Sequence, residues 1–117
     1  MTTTTRFRSE MGPRNQLREA TATLEAVQQQ IAVMVEVMTV IRNIAEGRVF
    51  WRDLSPESRI RGIQALSDLM HNFIPGDPVM LSAVRSQFAM QQARSPEAFE
   101  LCPALLSWAA QSEVEED

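Results

Sequence analysis

The spacing of apolar residues predicts one long helix in the first part of the chain. Between residues 17 and 41, every a and d position of a heptad frame is apolar, a pattern typical of an amphipathic α-helix. The a positions are Leu17, Leu24, Ile31 and Met38, and the d positions are Ala20, Val27, Met34 and Ile41. Residues 31–41 are rich in valine and isoleucine, but their flanks are helix-forming and contain no turn residue. We therefore expect a helix over about 14–46 rather than a strand.

Three residues that precede a proline predict the starts of three shorter helices. Ser55, Asp77 and Ser95 can each accept a hydrogen bond from an unpaired backbone N–H, and the following proline suits the first helical position. Glycine after the preceding apolar segments, at Gly47 and Gly76, indicates where helices end. The predicted helices lie at about 56–73, 78–93 and 96–111.

Pro103 falls inside the last of these segments, where proline removes one backbone hydrogen bond and clashes with the preceding turn. We expect this helix to be kinked or split near Cys102. The predicted fold is an all-α helical bundle with one domain over 14–111, a flexible N-terminal tail over 1–13 and an acidic C-terminal tail over 112–117.

The long helix is predicted to extend beyond its partners. A helix of about 33 residues spans about 50 Å, whereas helices of about 17 residues span about 26 Å. The half around residues 31–44 carries additional valines, so we expect it to form the centre of the bundle. The other half would project with an uncovered apolar seam, which contains the candidate partner-binding residues Leu17, Ala20, Leu24, Val27 and Ile31.

Two interpretations of this seam stay open. In the first, it binds another protein or a second copy of the chain, and a homodimer is favoured because the e and g positions carry mostly Thr, Gln and Val and little charge that would repel an identical chain. In the second, the later helices fold back along the whole length of the long helix and bury the seam within one chain.

Composition is consistent with a single globular domain. The chain has 117 residues, of which 44% are hydrophobic and 22% are charged. Glu36 and Thr39 interrupt the longest apolar stretch, which is shorter than the roughly 20 residues that a membrane crossing needs. We therefore expect no membrane-spanning helix, no secretory signal and an intracellular location, in the cytoplasm or the nucleus.

The residues needed for catalysis are scarce. All 11 basic residues are arginine, so no lysine can act as a base or form a Schiff base, and the chain has one cysteine and one histidine. Cys102 and His71 cannot together supply the ligands of an ordinary zinc site. No nucleotide-binding or hydrolase motif is present. We expect no catalytic residues, no metal, no cofactor and no small-molecule substrate.

An arginine-rich segment over residues 42–61 is the one candidate for anion binding. Its candidate nucleic-acid-binding residues are Arg42, Arg48, Trp51, Arg52, Arg59 and Arg61. The other interpretation is structural: Phe50 and Trp51 close the end of the bundle while the arginines pair with Glu46, Asp53 and Glu57. The net charge of −4 argues against a general nucleic-acid-binding domain.

The function predicted from these features is binding rather than catalysis. We expect a helical protein-protein interaction or adaptor protein that dimerises through its long helix, such as an assembly, escort or regulatory factor or a viral or phage accessory protein. The alternative is a nucleic-acid-binding regulator that presents the arginine-rich segment to RNA or DNA.

Overall fold

The computed structural model describes residues 23–48 and 54–111 in full, together with the helical backbone of residues 2–22 and 112–116. Five α-helices follow one another: α1 (Thr2–Ala45), α2 (Pro56–Met70), α3 (Pro78–Arg94), α4 (Pro96–Glu100) and α5 (Pro103–Glu116). The described part of the chain contains no β-strand. This confirms the predicted all-α fold with a long first helix.

Several helix boundaries differ from those predicted: α2 ends at Met70 rather than near residue 73, and the helical backbone of α5 continues to Glu116, into the predicted acidic tail. The helical backbone of α1 begins at Thr2, ahead of the expected start near residue 14; residues 2–11 contain no proline or glycine that would end a helix. The predicted fourth helix is divided into α4 and α5, with the break at Leu101 and Cys102. This division confirms the effect expected of Pro103.

The side chains that precede α2 and α3 cap these helices as predicted. The Ser55 hydroxyl oxygen accepts a hydrogen bond from the backbone N–H of Ser58 at 3.1 Å. Asp77 Oδ1 accepts from the backbone N–H groups of Val79 and Met80, both at 3.1 Å. Each cap satisfies donors that have no partner within the helix.

Ser95 occupies the predicted N-cap position of α4, but its side chain makes no capping hydrogen bond. The residue is also the C-cap of α3 and is buried, and its hydroxyl lies 3.2 Å from where a β-carbon of Gly62 would be. A β-carbon at Gly62 would also lie 3.0 Å from that of Ala98. The absence of a side chain at Gly62 thus lets α2 approach α4 closely.

The two predicted glycine stops adopt backbone conformations that other residues rarely adopt. Gly47 has φ +72° and Gly76 has φ +85°. Beyond Gly47, the Arg48 N–H donates to the carbonyl of Asn43 at 2.8 Å, which satisfies one of the last carbonyls of α1.

A ridge of β-branched residues on α1 forms one wall of the hydrophobic core. We call Val33, Val37, Val40 and Ile44 the valine ridge; all four are buried, and their spacing of four, three and four residues places them on one side of the helix. α1 packs against α2 and α5, and α2 packs in turn against α3 and α4. Phe73 meets Trp108 edge to face at 5.1 Å between ring centroids. The predicted centre of the bundle around residues 31–44 is therefore present.

A carboxylate from α1 caps the start of α5. Glu36 Oε1 accepts from the backbone N–H of Ala104, and Oε2 accepts from that of Leu105, each at 3.0 Å. Cys102, which precedes the helix, directs its thiol instead toward the carbonyl of Ala98 at 3.6 Å. Glu36, from a different helix, thus accepts the hydrogen bonds that an N-cap side chain would accept, and its charge faces the positive end of the α5 dipole.

Replacing Glu36 by alanine should destabilise the protein by about 1–3 kcal/mol, because two charge-assisted hydrogen bonds are lost and two N–H groups are left unpaired. The measurement is the free energy of unfolding in urea, followed by circular dichroism. Glu25→Ala is the matched control, since Glu25 is an exposed glutamate on the same helix. An equal effect of the two substitutions would show that the Glu36 contact adds nothing to stability.

Candidate functional site

Large apolar side chains remain exposed on the side of α1 that faces away from the core. The exposed fractions are 58% for Leu24, 43% for Ile31, 54% for Val35 and 59% for Met38. Their spacing of seven, four and three residues places them on one face, opposite the valine ridge, and we call this face the outer stripe. α1 is therefore apolar on two opposite sides, of which its own bundle covers one.

The residues of the predicted seam divide between covered and open positions. Leu24 and Ile31 belong to the outer stripe, whereas Val27 is half-buried beside the turn at Gly76. The side chains of Leu17 and Ala20 lie outside the fully described residues. Met34 and Ile41, at d positions of the heptad frame, pack against the core of the same chain. The open part of the seam is therefore formed by the residues at the a positions.

Val35 was not among the predicted site residues. It occupies an e position of the heptad frame, and a 3.5-residue repeat places e beside the seam rather than within it. A straight helix with 3.6 residues per turn brings Val35 between Ile31 and Met38 on the exposed face.

Charged side chains occur only at the ends of the outer face. Between residues 24 and 42, its intervening positions hold Gln28, Ala32 and Thr39 in addition to the stripe itself. Glu25 lies at one end and Arg42 at the other, and both are exposed. The face is therefore an apolar strip with Glu25 at its edge near one end and Arg42 at the other; Glu46, one turn beyond Arg42, is paired with Arg48.

Two arginines of the arginine-rich segment lie at the junction between α1 and α2. Arg48 Nε forms an ion pair with Glu46 Oε1 at 2.9 Å. Nη1 of Arg59 lies 3.2 Å from where a β-carbon of Gly47 would be, so this side chain packs against the end of α1. These contacts agree with the structural interpretation for Arg48 and place Arg59 in the same junction.

The remaining arginines of this segment are less engaged. Arg42 and Arg61 are exposed, and neither has an acidic partner within 4.0 Å among the described residues. The predicted residues Trp51 and Arg52 lie outside the described part of the chain. The structure thus brings Arg48 and Arg59 together and leaves Arg42 and Arg61 facing solvent.

The segment Thr23–Ala45 of α1 is long and apolar enough, by length and composition, to cross a membrane, and 17% of it is buried within the protein. A mostly buried core helix of a soluble protein and a signal sequence near the N-terminus pass the same test. The expectation of no membrane-spanning helix rests on the stretch over 31–41 alone, which polar residues interrupt. Here, the valine ridge packs inward and the Glu36 carboxylate is bound by α5, which favours the role of a bundle helix.

No protein-family model matches this sequence, and no curated protein or solved structure matches it either.

Cys102 is a buried thiol rather than a reactive one. Desolvation by burial and, to a smaller extent, the nearby negative charge of Glu36 raise its pKa from 9.0 to about 12. The thiolate is the nucleophilic form of cysteine, so the neutral, buried group is unsuited to attack a substrate. Among the described residues, no group of three or more His, Cys, Asp or Glu side chains is arranged to hold a metal ion.

Cys102 should resist alkylation by iodoacetamide at pH 8 in the folded protein and react readily in urea, with the difference read by mass spectrometry. The native state keeps its thiol proton between pH 9.0 and about 12, whereas the unfolded state releases it, so this group should lower stability as pH rises through that range. Rapid modification of the folded protein would contradict the buried position.

Proposed function

We propose that this chain is a non-enzymatic helical interaction protein that forms a homodimer through the outer stripe of α1. The observation that supports the proposal is the row of four large, exposed apolar side chains on one face of an otherwise well-packed bundle helix. Contiguous exposed apolar surface of this kind is typical of interaction sites, whereas isolated exposed apolar residues are ordinary.

The charges at the ends of the stripe favour a second copy in the antiparallel orientation. Glu25 and Arg42 are 17 residues apart, so they are separated by about 25 Å along α1. In an antiparallel pair centred near Val33 and Met34, Glu25 of each copy would lie near Arg42 of the other. A parallel pair would instead place like charges opposite one another, which disfavours association.

Such a dimer would act by holding partners or subunits together. We propose an adaptor, escort, assembly or regulatory role inside the cell, including that of a viral or phage accessory factor. The support for a binding role is the uncovered stripe together with a core that holds the single cysteine as a neutral, buried thiol.

Met38→Glu should convert a dimer to a monomer at micromolar concentration, because it would place a charge within the apolar interface. The measurement is the molar mass from light scattering after size-exclusion chromatography. Met90→Glu is the matched control, since Met90 is a methionine on α3 with the same exposed fraction of 59% as Met38. Circular dichroism should show that both variants remain folded.

The orientation is tested by disulfide formation between Glu25→Cys and Arg42→Cys variants. An antiparallel dimer should cross-link when the two variants are mixed and only weakly when either is alone; the buried thiol of Cys102 should not compete. Cross-linking of each variant with itself would indicate a parallel pair and overturn the orientation. A wild-type monomer would overturn the dimer, and a monomer that sediments with phosphatidylcholine vesicles would identify a lipid surface as the partner of the stripe.

A second candidate function is nucleic-acid binding at the α1–α2 junction. Arg61 supports it, because it is exposed in the first half of α2, where the helix dipole disfavours a cation, and has no acidic partner within 4.0 Å among the described residues. Arg48 and Arg59 lie at the same junction as the start of this helix.

The affinity for RNA or DNA, measured by gel shift, should fall as the salt concentration increases. Each phosphate contact should contribute about 0.7–0.9 to the negative slope of log affinity against log salt concentration. The combined variant Arg48→Gln and Arg61→Gln should reduce that slope, while Arg94→Gln, whose arginine is paired with Asp68 at 2.8 Å on α2, should not. The absence of any shift at low salt would assign the arginines a structural role only.

A further inference from the structure

A groove of about 440 Å³ lies where α1 passes α3 and the turn that precedes it. Ala26, Val27 and Gln30 line it from α1, and Pro78, Leu81 and Arg85 line it from α3. α1 packs against α2 and α5 but forms no extensive contact with α3, so the two helices leave this space between them. Thr23 and Gly76 complete the lining, in which Thr23, Gln30 and Arg85 are the three polar side chains, and the volume is within the range of small-molecule sites.

Arg85 is a half-buried cation that has no anionic partner among the fully described residues. Its guanidinium carbon lies 4.2 Å from the centre of the Trp108 ring, so the charge rests on an aromatic face. Its Nε is buried and has no hydrogen-bond partner, and no described carboxylate lies within 4.0 Å of the side chain. Buried arginines are normally paired, so this one has unused binding capacity.

The polar groups around Arg85 also provide donors rather than acceptors. The indole Nε1 of Trp108, beneath the guanidinium, is a second buried donor without a partner. Gln30 Oε1 accepts the Gly76 N–H at 2.7 Å, and Asp77 Oδ1 accepts the first N–H groups of α3. Gln30 Oε1 and Asp77 Oδ1 are thus engaged, whereas Arg85 Nε and Trp108 Nε1 are buried donors whose requirement an oxygen with negative charge would meet.

We propose that this groove binds a small monocarboxylic acid with an apolar body. The carboxylate would lie against the planar guanidinium of Arg85, which can donate two parallel hydrogen bonds to it. The hydrocarbon would lie between Ala26 and Val27 on one wall and Pro78 and Leu81 on the other. A single arginine, with Asp77 next to the wall residue Pro78, matches one negative charge better than the two charges of a phosphate.

The groove is separate from the outer stripe. None of its lining residues belongs to that stripe, so a failure of one proposal leaves the other unaffected.

The test uses octanoate as the probe and octanamide as its neutral counterpart, with binding followed by calorimetry and by the backbone amide signals of Gly76 and Leu81. Octanoate should bind saturably and at least tenfold more tightly than octanamide. Arg85→Gln should weaken octanoate binding by about tenfold to a hundredfold, as expected for the loss of a charge-assisted hydrogen bond. Arg61→Gln, which removes an exposed arginine from α2, should leave affinity unchanged.

A second variant keeps the test independent of the contact between Arg85 and Trp108. Ala26→Phe, on an exposed part of the groove wall, should fill the space without entering the core and should abolish binding. Failure of octanoate to saturate, equal affinity for octanamide, or unchanged affinity in both variants would overturn the proposal. Inorganic phosphate binding as tightly as octanoate would overturn the assignment to a carboxylic acid.

Discussion

The carboxylate of Glu36 joins the longest helix to the last one and sets how they face each other. Both of its oxygens accept backbone N–H groups at the start of α5, so it determines the rotation of α1 about its own axis as well as its position along α5. With α1 held in that rotation, the valine ridge faces inward and the outer stripe faces away. The same negative charge contributes to keeping the Cys102 thiol protonated. One polar contact and the burial of the valine ridge thus fix the same orientation of α1 in its bundle.

Both candidate binding surfaces arise because the bundle encloses α1 from one side. α2 and α5 pack against α1, and α3 packs against α2 and makes no extensive contact with α1. The outer stripe is the side that no helix of this chain reaches, and the groove at Arg85 is the gap left between α1 and α3. An asymmetric bundle of short helices around one long helix leaves such surfaces by geometry, because helices of up to about 26 Å cannot surround the full length of a helix of about 66 Å.

The helix boundaries could be predicted because they depend on neighbouring residues: Ser55 and Asp77 cap through hydrogen bonds two or three residues away, and Pro103 breaks a helix by its own chemistry. The face of α1 that is buried could not be predicted in the same way. Valines surround that helix, so the heptad frame marked Ile31 and Met38 as the seam while Val33 and Val37, from other positions, form the core. The capping role of Glu36 could not be predicted from its neighbours, because its partners are 68 and 69 residues further along the chain. In the sequence, Glu36 is only a polar interruption of an apolar stretch.

The position of α1 in the chain has a consequence for synthesis on the ribosome. At about 5–20 residues per second, the 57 residues between Ala45 and Pro103 take about 3–11 s to translate. During that interval the valine ridge has no α5 to cover it, and the outer stripe is exposed at the same time. The nascent chain therefore carries an apolar helix open on two sides, a form that chaperones bind and that can pair with a neighbouring nascent chain before its own bundle closes.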